Sequence, residues 1–293
     1  MEKNKNWGLI KFFIIIVIIS YIFASFLGLF VNSQETGNIA VIKLWGPITL
    51  GTSQSLFSEN VASSNEIVSL IEKADKNDMI KAIILDINSP GGSPVASDEI
   101  SLAIKNANKP VISVIREIGA SGAYWVASSS DYIFANRMSI TGSIGAYSSF
   151  LEFSGLFDDY NITYNVIKSG KFKDLGSPFK ELTAEEQHLL QQRIDIIHDF
   201  FVQEIANNRN LSYEHIDKVA DGMFHLGNQA LDLKLIDELG SMKDALIYIE
   251  NLLDIKSNPV NYQIRRGFFD SFIGLFNNKR ISINEINEKK IIT

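Results

Sequence analysis

Ala82-Ile83-Ile84-Leu85-Asp86-Ile87 is followed at once by Asn88-Ser89-Pro90-Gly91-Gly92 and then by Ser93-Pro94. A short, nearly continuous apolar run is what a strand covered on both faces requires, because both rows of its side chains must leave water. The Pro-Gly-Gly turn ends it. Ser93 suits an N-cap and Pro94 the first helical position, and Ala96, Ile100, Ala103 and Ile104 recur at helical spacing toward Asn108. A buried strand that turns into a helix is half of a βαβ unit, so the chain is expected to be α/β, with mostly parallel sheets and right-handed crossovers.

The same grammar extends in both directions. Residues 39–44 predict a first strand closed by Gly46-Pro47, and Ile67, Leu70 and Ile71 predict a helix over 66–74. Strands are expected at 110–115 and 131–135, then a small-residue loop over 139–145, a helix over 150–157, an extended stretch over 164–167 and a polar loop over 169–178. Thr183 with Glu186 three residues on is a capping box; it opens a long helix with Leu189, Leu190, Ile194, Ile197 and Phe201 along one face. Helices near 228–234 and 241–253 complete one domain, residues 39–257, without internal repeats.

Both ends differ from this body. Residues 12–31 carry no charge and are interrupted only by Ser20, Ser25 and Gly28; at helical rise they cover about 30 Å, one hydrocarbon thickness. Lys3, Lys5 and Lys11 precede them against Glu2, while the linker over 32–38 carries only Glu35. The positive-inside rule therefore puts residues 1–11 in the cytoplasm and the rest outside, and the length of the run with no clear A-x-A site after it favours a single-pass, uncleaved plasma-membrane anchor over a cleaved signal peptide. Residues 258–293 read as an amphipathic tail whose aromatic stretch 267–276 is flanked by Arg265, Arg266, Lys279 and Arg280; it suits a membrane surface, a neighbouring subunit or its own domain.

Composition excludes several function classes. The chain has 293 residues and a net charge of -7, without a basic stripe, which argues against nucleic acid as a partner. It has no cysteine, which removes disulfides, a thiolate nucleophile and thiolate-bound metals. His188, His198, His215 and His225 form no metal-ligand spacing, so neither a metal nor a cofactor is expected.

Chemistry is suggested at Gly119-Ala120-Ser121-Gly122-Ala123, between the apolar runs at 111–115 and 124–127. A serine between small residues at a strand-to-helix junction presents its hydroxyl outward beside free helix N-terminal N–H groups, although the G-x-S-x-G pattern fails at Ala123. Pro90-Gly91-Gly92 is a second strand end of the same kind, and paired glycines with the Gly122 N–H would let two donors converge on an oxyanion. The serine needs a base. His188 lies beside Glu185 and Glu186 in a solvent-facing helical position, which leaves lysine, and Lys168, Lys171, Lys173 and Lys180 all stand in the right region.

The motifs Asp86-Ile87-Asn88-Ser89-Pro90-Gly91-Gly92, Ala120-Ser121-Gly122-Ala123-Tyr124, Thr141-Gly142-Ser143-Ile144-Gly145 and Lys168-Ser169-Gly170-Lys171-Phe172-Lys173-Asp174 closely resemble, in order, the short single-domain signal peptide peptidase A family. The resemblance covers roughly residues 39–251. It implies a membrane-anchored serine protease on the ClpP/crotonase fold that degrades cleaved signal peptides, and misfolded membrane or secreted proteins as well. It further implies Ser121 as nucleophile, Lys173 as general base, Ser143 as the residue holding that lysine, and Gly91 or Gly92 with Gly122 as the oxyanion hole. Family members form homo-oligomeric rings. Two other readings are an acyl-CoA hydratase or isomerase on the same scaffold, which would want acidic groups in place of Ser121, and an inactive membrane scaffold. The family's closing G-L-I-D element lacks its glycine here, over Asp232 to Lys234.

Overall fold

The apolar run at 82–87 does form a strand, and every residue of its full extent, Ala82–Ser89, is buried except Asn88. The computed structural model describes residues 5–30, 37–51 and 61–263. In chain order the elements are α1 (Lys5–Phe30), β1 (Ile39–Trp45), β2 (Ile48–Thr49), β3 (Ala62–Ser63), α2 (Ser64–Asp75), β4 (Ala82–Ser89), α3 (Pro94–Lys105), β5 (Val111–Ala120), α4 (Gly122–Ser128), β6 (Tyr132–Ala135) and β7 (Ile140–Gly142). There follow α5 (Ser154–Asp159), α6 (Ala184–Arg209), α7 (Tyr213–Asp217), β8 (Phe224–Leu226), α8 (Gly227–Asp232), β9 (Glu238–Leu239), α9 (Met242–Leu253) and β10 (Pro259–Tyr262).

Among the described residues the main sheet runs β10-β1-β4-β5-β6-β9, parallel at every step, as expected for βαβ units. β7 adds parallel to the far end of β5, and β8 closes that corner antiparallel. Side chains alternate between two cores, as the pleat dictates. Ile83, Leu85 and Ile87 meet Ile71 of α2, Ile100 of α3, Val126 of α4 and Ile205 of α6. Ile84 instead joins Ile39, Val41, Ile112 and Val114 against Ala245 and Ile249 of α9. Burial of each such side chain contributes about 1.5–3 kcal/mol, which is why both faces demand apolar residues.

Several boundaries differ from the sequence reading, each for want of a local signal. β5 runs five residues past the expected end at 115, up to Ala120, because Ile118, Gly119 and Ala120 pair with β7. β10 lies beyond the expected domain limit at 257: it pairs with β1 from Ile39↔Pro259 to Ile42↔Tyr262, a contact between chain ends that no local pattern announces. The helix expected over 150–157 forms later, as α5, and the stretch at 164–167 is in no strand. Lys234 takes a φ of 61°, left-handed backbone that favours glycine, so the missing glycine of the closing motif costs strain rather than the turn.

α1 takes in most of the expected anchor, and its side chains at 10–25 are exposed. Among the described residues no helix is long and apolar enough to cross a membrane. The aromatic stretch 267–276 lies outside the described residues.

Candidate active site

Ser121 stands between the last residue of β5 and the first of α4, at φ 54° and ψ -127°. A non-glycine residue in that region is strained, and here the strain is held from three directions. The Ser121 N–H donates to the Gly142 carbonyl at 2.8 Å, the Ser121 carbonyl accepts from Tyr124 and Trp125 at 2.9 and 3.0 Å, and Thr141 Oγ1 donates to the Gly119 carbonyl at 2.8 Å. α4 behind it is buried over its whole length, with Trp125 stacked on Phe201 at 5.0 Å. Ser121 is half-buried and its hydroxyl makes no hydrogen bond among the described residues.

The glycines expected to form the oxyanion hole do converge on this serine. A Cβ on Gly91 would lie 2.7 Å from the Gly122 nitrogen and 2.9 Å from Ser121 Cβ, and one on Gly122 would lie 2.4 Å from Ser97 Oγ and 3.3 Å from the Gly92 nitrogen. Hydrogen bonding separates the two candidates of the first loop. The Gly91 N–H is spent on Ser89 Oγ at 3.1 Å. The Gly92 N–H has no partner among the described residues, since the bridge to Ile48 uses the Gly91 carbonyl and the Ser93 N–H instead, each at 2.9 Å. Gly122, at the first helical position of α4, likewise keeps an unpaired N–H. Two free donors beside one serine hydroxyl, at the carboxyl edge of a parallel sheet, can hold the oxygen of a tetrahedral intermediate.

The base side is arranged differently. Ser143 follows directly on the Gly142 that holds Ser121, but its hydroxyl donates to the Gly222 carbonyl at 3.0 Å, not to a lysine. Between Ile144 and Glu186 no residue is buried. Lys173 sits on this arm, exposed, and its side chain has neither a hydrogen bond nor an ion pair among the described residues. The arm's contacts are its own: Phe153 N–H to the Pro178 carbonyl at 2.7 Å, Phe157 stacked on Phe179 at 5.3 Å, and Lys171 paired with Glu185 at 2.5 Å. Among the described residues none of its hydrogen bonds reaches the body over 37–145. The chain thus brings together Ser121, Gly91, Gly92 and Gly122, sets Ser143 next to them, and leaves Lys173 outside.

Sequence reasoning passed over one neighbour of the site. β8 pairs His225 with Thr141, and the His225 ring lies where a Cβ on Gly142 would meet it at 3.0 Å. Its Nε2 is buried without a partner among the described residues. Only the antiparallel return of β8 could have revealed this, because the 83 positions between Thr141 and His225 carry no periodic clue. Among the described residues no group of acidic residues or histidines could hold a metal.

A strained serine beside two free backbone donors is an arrangement suited to acyl transfer, the class of chemistry that serine hydrolases perform. The profile of peptidase family S49 matches residues 103–256. A Methanocaldococcus jannaschii protein named as a protease is 34% identical over 265 residues, covering 87% of this chain and 85% of that one. An Enterococcus faecium protein named as a signal peptide peptidase is 33% identical over 218 residues, covering 73% and 63%, and Protease 4 of Haemophilus influenzae is 34% identical over 219 residues, covering 74% and 35%. The chain therefore spans most of the archaeal relative but only about a third of Protease 4. The chain belongs to peptidase family S49, and it is a serine protease.

Proposed function

We propose that the chain is a Ser–Lys endopeptidase with Ser121 as nucleophile, Lys173 as general base and the Gly92 and Gly122 N–H groups as oxyanion hole. The observation that carries the choice of base is pairing. Lys168 is bound to Asp174, Lys171 to Glu185 and Lys180 to Glu186, each at 2.5 Å, whereas Lys173 alone of these four is unpaired among the described residues. An ammonium held by a carboxylate stays protonated; a lysine without one gives up its proton once it is desolvated.

Desolvation has to come from another copy, because Lys173 is exposed and its arm makes no hydrogen bond to the body. The arm also exposes Tyr147, Leu151, Tyr160, Ile162 and Ile167, the last completely, an apolar surface of the kind that subunits cover. In a homo-oligomeric ring this face meets the next copy, brings Lys173 of one chain to Ser121 of its neighbour, and lets Ser143 exchange its bond to Gly222 for one to the lysine. Neutral Lys173 then takes the Ser121 proton as Oγ attacks the peptide carbonyl. The C–N bond breaks as the ammonium returns that proton to the leaving amine, and a water activated by the same lysine hydrolyses the ester.

The substrates we infer are apolar segments of cleaved signal peptides, as the name of the Enterococcus relative suggests, together with misfolded membrane or secreted proteins. Residues 12–31 would anchor the enzyme in the plasma membrane with the N-terminus cytoplasmic and the catalytic domain outside. The parallel sheet with small-residue strand ends supports a ClpP/crotonase-like scaffold. Ser121→Ala and Lys173→Ala full-length chains should each lose at least about 10³-fold in activity on an apolar peptide. Mixed and reassembled, the two dead variants should regain activity, since some interfaces then join an intact serine to an intact lysine. A mixture as dead as its parts would refute the shared dyad.

A further inference from the structure

The arm that carries Lys173 has turns but no regular secondary structure over 168–180, and no buried apolar residue holds it. Ordering such a segment costs about 1–2 kcal/mol per residue in backbone entropy, so something other than packing must fix it. What is present is a chain of alternating charges. Lys168 Nζ lies 2.5 Å from Asp174 Oδ1 and also donates to the Lys171 carbonyl at 3.1 Å. Lys180 Nζ lies 3.5 Å from the same Asp174 oxygen and 2.5 Å from Glu186 Oε1. Glu186 Oε2 in turn accepts from the Thr183 N–H at 3.0 Å and from Thr183 Oγ1 at 3.1 Å, and the Glu186 N–H donates back to Thr183 Oγ1 at 3.2 Å.

The chain of charges has one fixed end. Glu186 is buried, only 4% exposed, in the first turn of α6. α6 enters the core through Phe201, Val202, Ile205 and Ala206. Moving outward along Glu186, Lys180, Asp174 and Lys168, the side chains become progressively more exposed, 5%, 26%, 13% and 34% with one reversal at Asp174. Isolated exposed pairs contribute little, but a linked series with a buried terminus constrains each member through the next. Asp174 is the residue after Lys173, and two lysines grip its carboxylate. The backbone that presents Lys173 is therefore tied on its C-terminal side to the N-terminus of a core helix, and the neighbouring cations are consumed by carboxylates on the way.

We propose that Asp174 and Lys180 are positioning residues for Lys173: the Lys168–Asp174–Lys180–Glu186 clasp holds the base-bearing loop in the shape a neighbouring active site receives. This rests on the reading of Lys173 as the base. The clasp acts on where the ammonium sits, not on how substrate binds, so its loss should appear in turnover.

The test compares Lys180→Met, Lys180→Arg and Asp174→Asn with Lys173→Ala in the full-length chain, by steady-state kinetics on an apolar peptide and by the rate at which a fluorophosphonate labels Ser121. Lys180→Met and Asp174→Asn should lower kcat and the labelling rate roughly ten- to hundredfold with KM within about twofold, whereas Lys180→Arg, which keeps the pair, should stay near wild type. Unchanged kcat in Lys180→Met with a dead Lys173→Ala would overturn the clasp and leave the dyad standing. Full activity in Lys173→Ala would remove the dyad itself. Loss of the cooperative melting transition or of the oligomer in both Lys180→Met and Asp174→Asn would also overturn the proposal, because the charges would then be holding the fold and not the base.

Discussion

The two halves of the proposed catalytic apparatus are built by opposite means. The nucleophile corner, from Ser89 to Ser97 and from Gly119 to Ala127, is set at the edge of a parallel sheet between two cores, and its strained backbone is pinned by β7 and by α4. The arm over 146–182 that carries Lys173 has no buried residue and holds itself with turns, ring contacts and ion pairs. Preorganisation of the first half comes from folding alone. The second half is held only by its own turns and ion pairs, and in the proposed mechanism it needs a partner surface to lose its water, so that mechanism separates folding from activation.

That separation can be broken at its strongest point by Gly122→Ala. The new Cβ would stand 2.4 Å from Ser97 Oγ and crowd the Gly92 nitrogen, so the oxyanion donors must move apart, and kcat should fall by roughly 10²–10³. Wild-type kcat in that variant would mean the two N–H groups are not the oxyanion hole. A second comparison measures stability on each side. Leu85→Ala, at a fully buried position of β4, should cost about 2–5 kcal/mol in denaturant unfolding, whereas Leu151→Ala, at 74% exposure on the arm, should stay within about 0.5 kcal/mol. Equal costs would show that the arm is packed into the body after all.

Acid should act on the arm before the core. The Lys180 side chain and then the Thr183 N–H hold the Glu186 carboxyl below its usual range, and Lys168 does the same for Asp174. Carboxyls depressed in the folded state contribute stability above their unfolded pKa values, about 4, and lose it as pH falls through the lower folded values. Amide protection factors over 170–180 should therefore be steady from neutrality to about pH 5 and fall below about pH 4, while those of β4 persist. Loss of arm protection on raising the pH instead would reverse the assignment.

How much of this was legible follows the same division. β4, α3 and the Ser121 junction were readable because their patterns are local: an apolar run, Ser93 before Pro94, a serine between small residues. The capping box at Thr183 and Glu186 was readable for the same reason. The arm was not, since Phe150, Phe153, Tyr164 and Ile167 form no interior within the chain and periodicity without a packing partner does not fix an element; α5 accordingly starts at Ser154. β10, the Ser143 bond to Gly222 and the His225 ring against Gly142 depend on residues far apart in sequence, and only the sheet brings them together. Family resemblance supplied Lys173; its three paired neighbours give the physical reason for preferring it.

The backbone at Ser121 has a further consequence, for how such a protein can decay. A φ of 54° with ψ -127° is a turn conformation glycine adopts freely and serine resists, so Ser121 is kept at a standing cost of about 1 kcal/mol or more. Ser121→Gly should accordingly melt above both wild type and Ser121→Ala while hydrolysing nothing; a lower melting point would show the strain to be absent. On the proposed reading of Ser121 as nucleophile, drift toward an inert scaffold is thus downhill in stability and one substitution away.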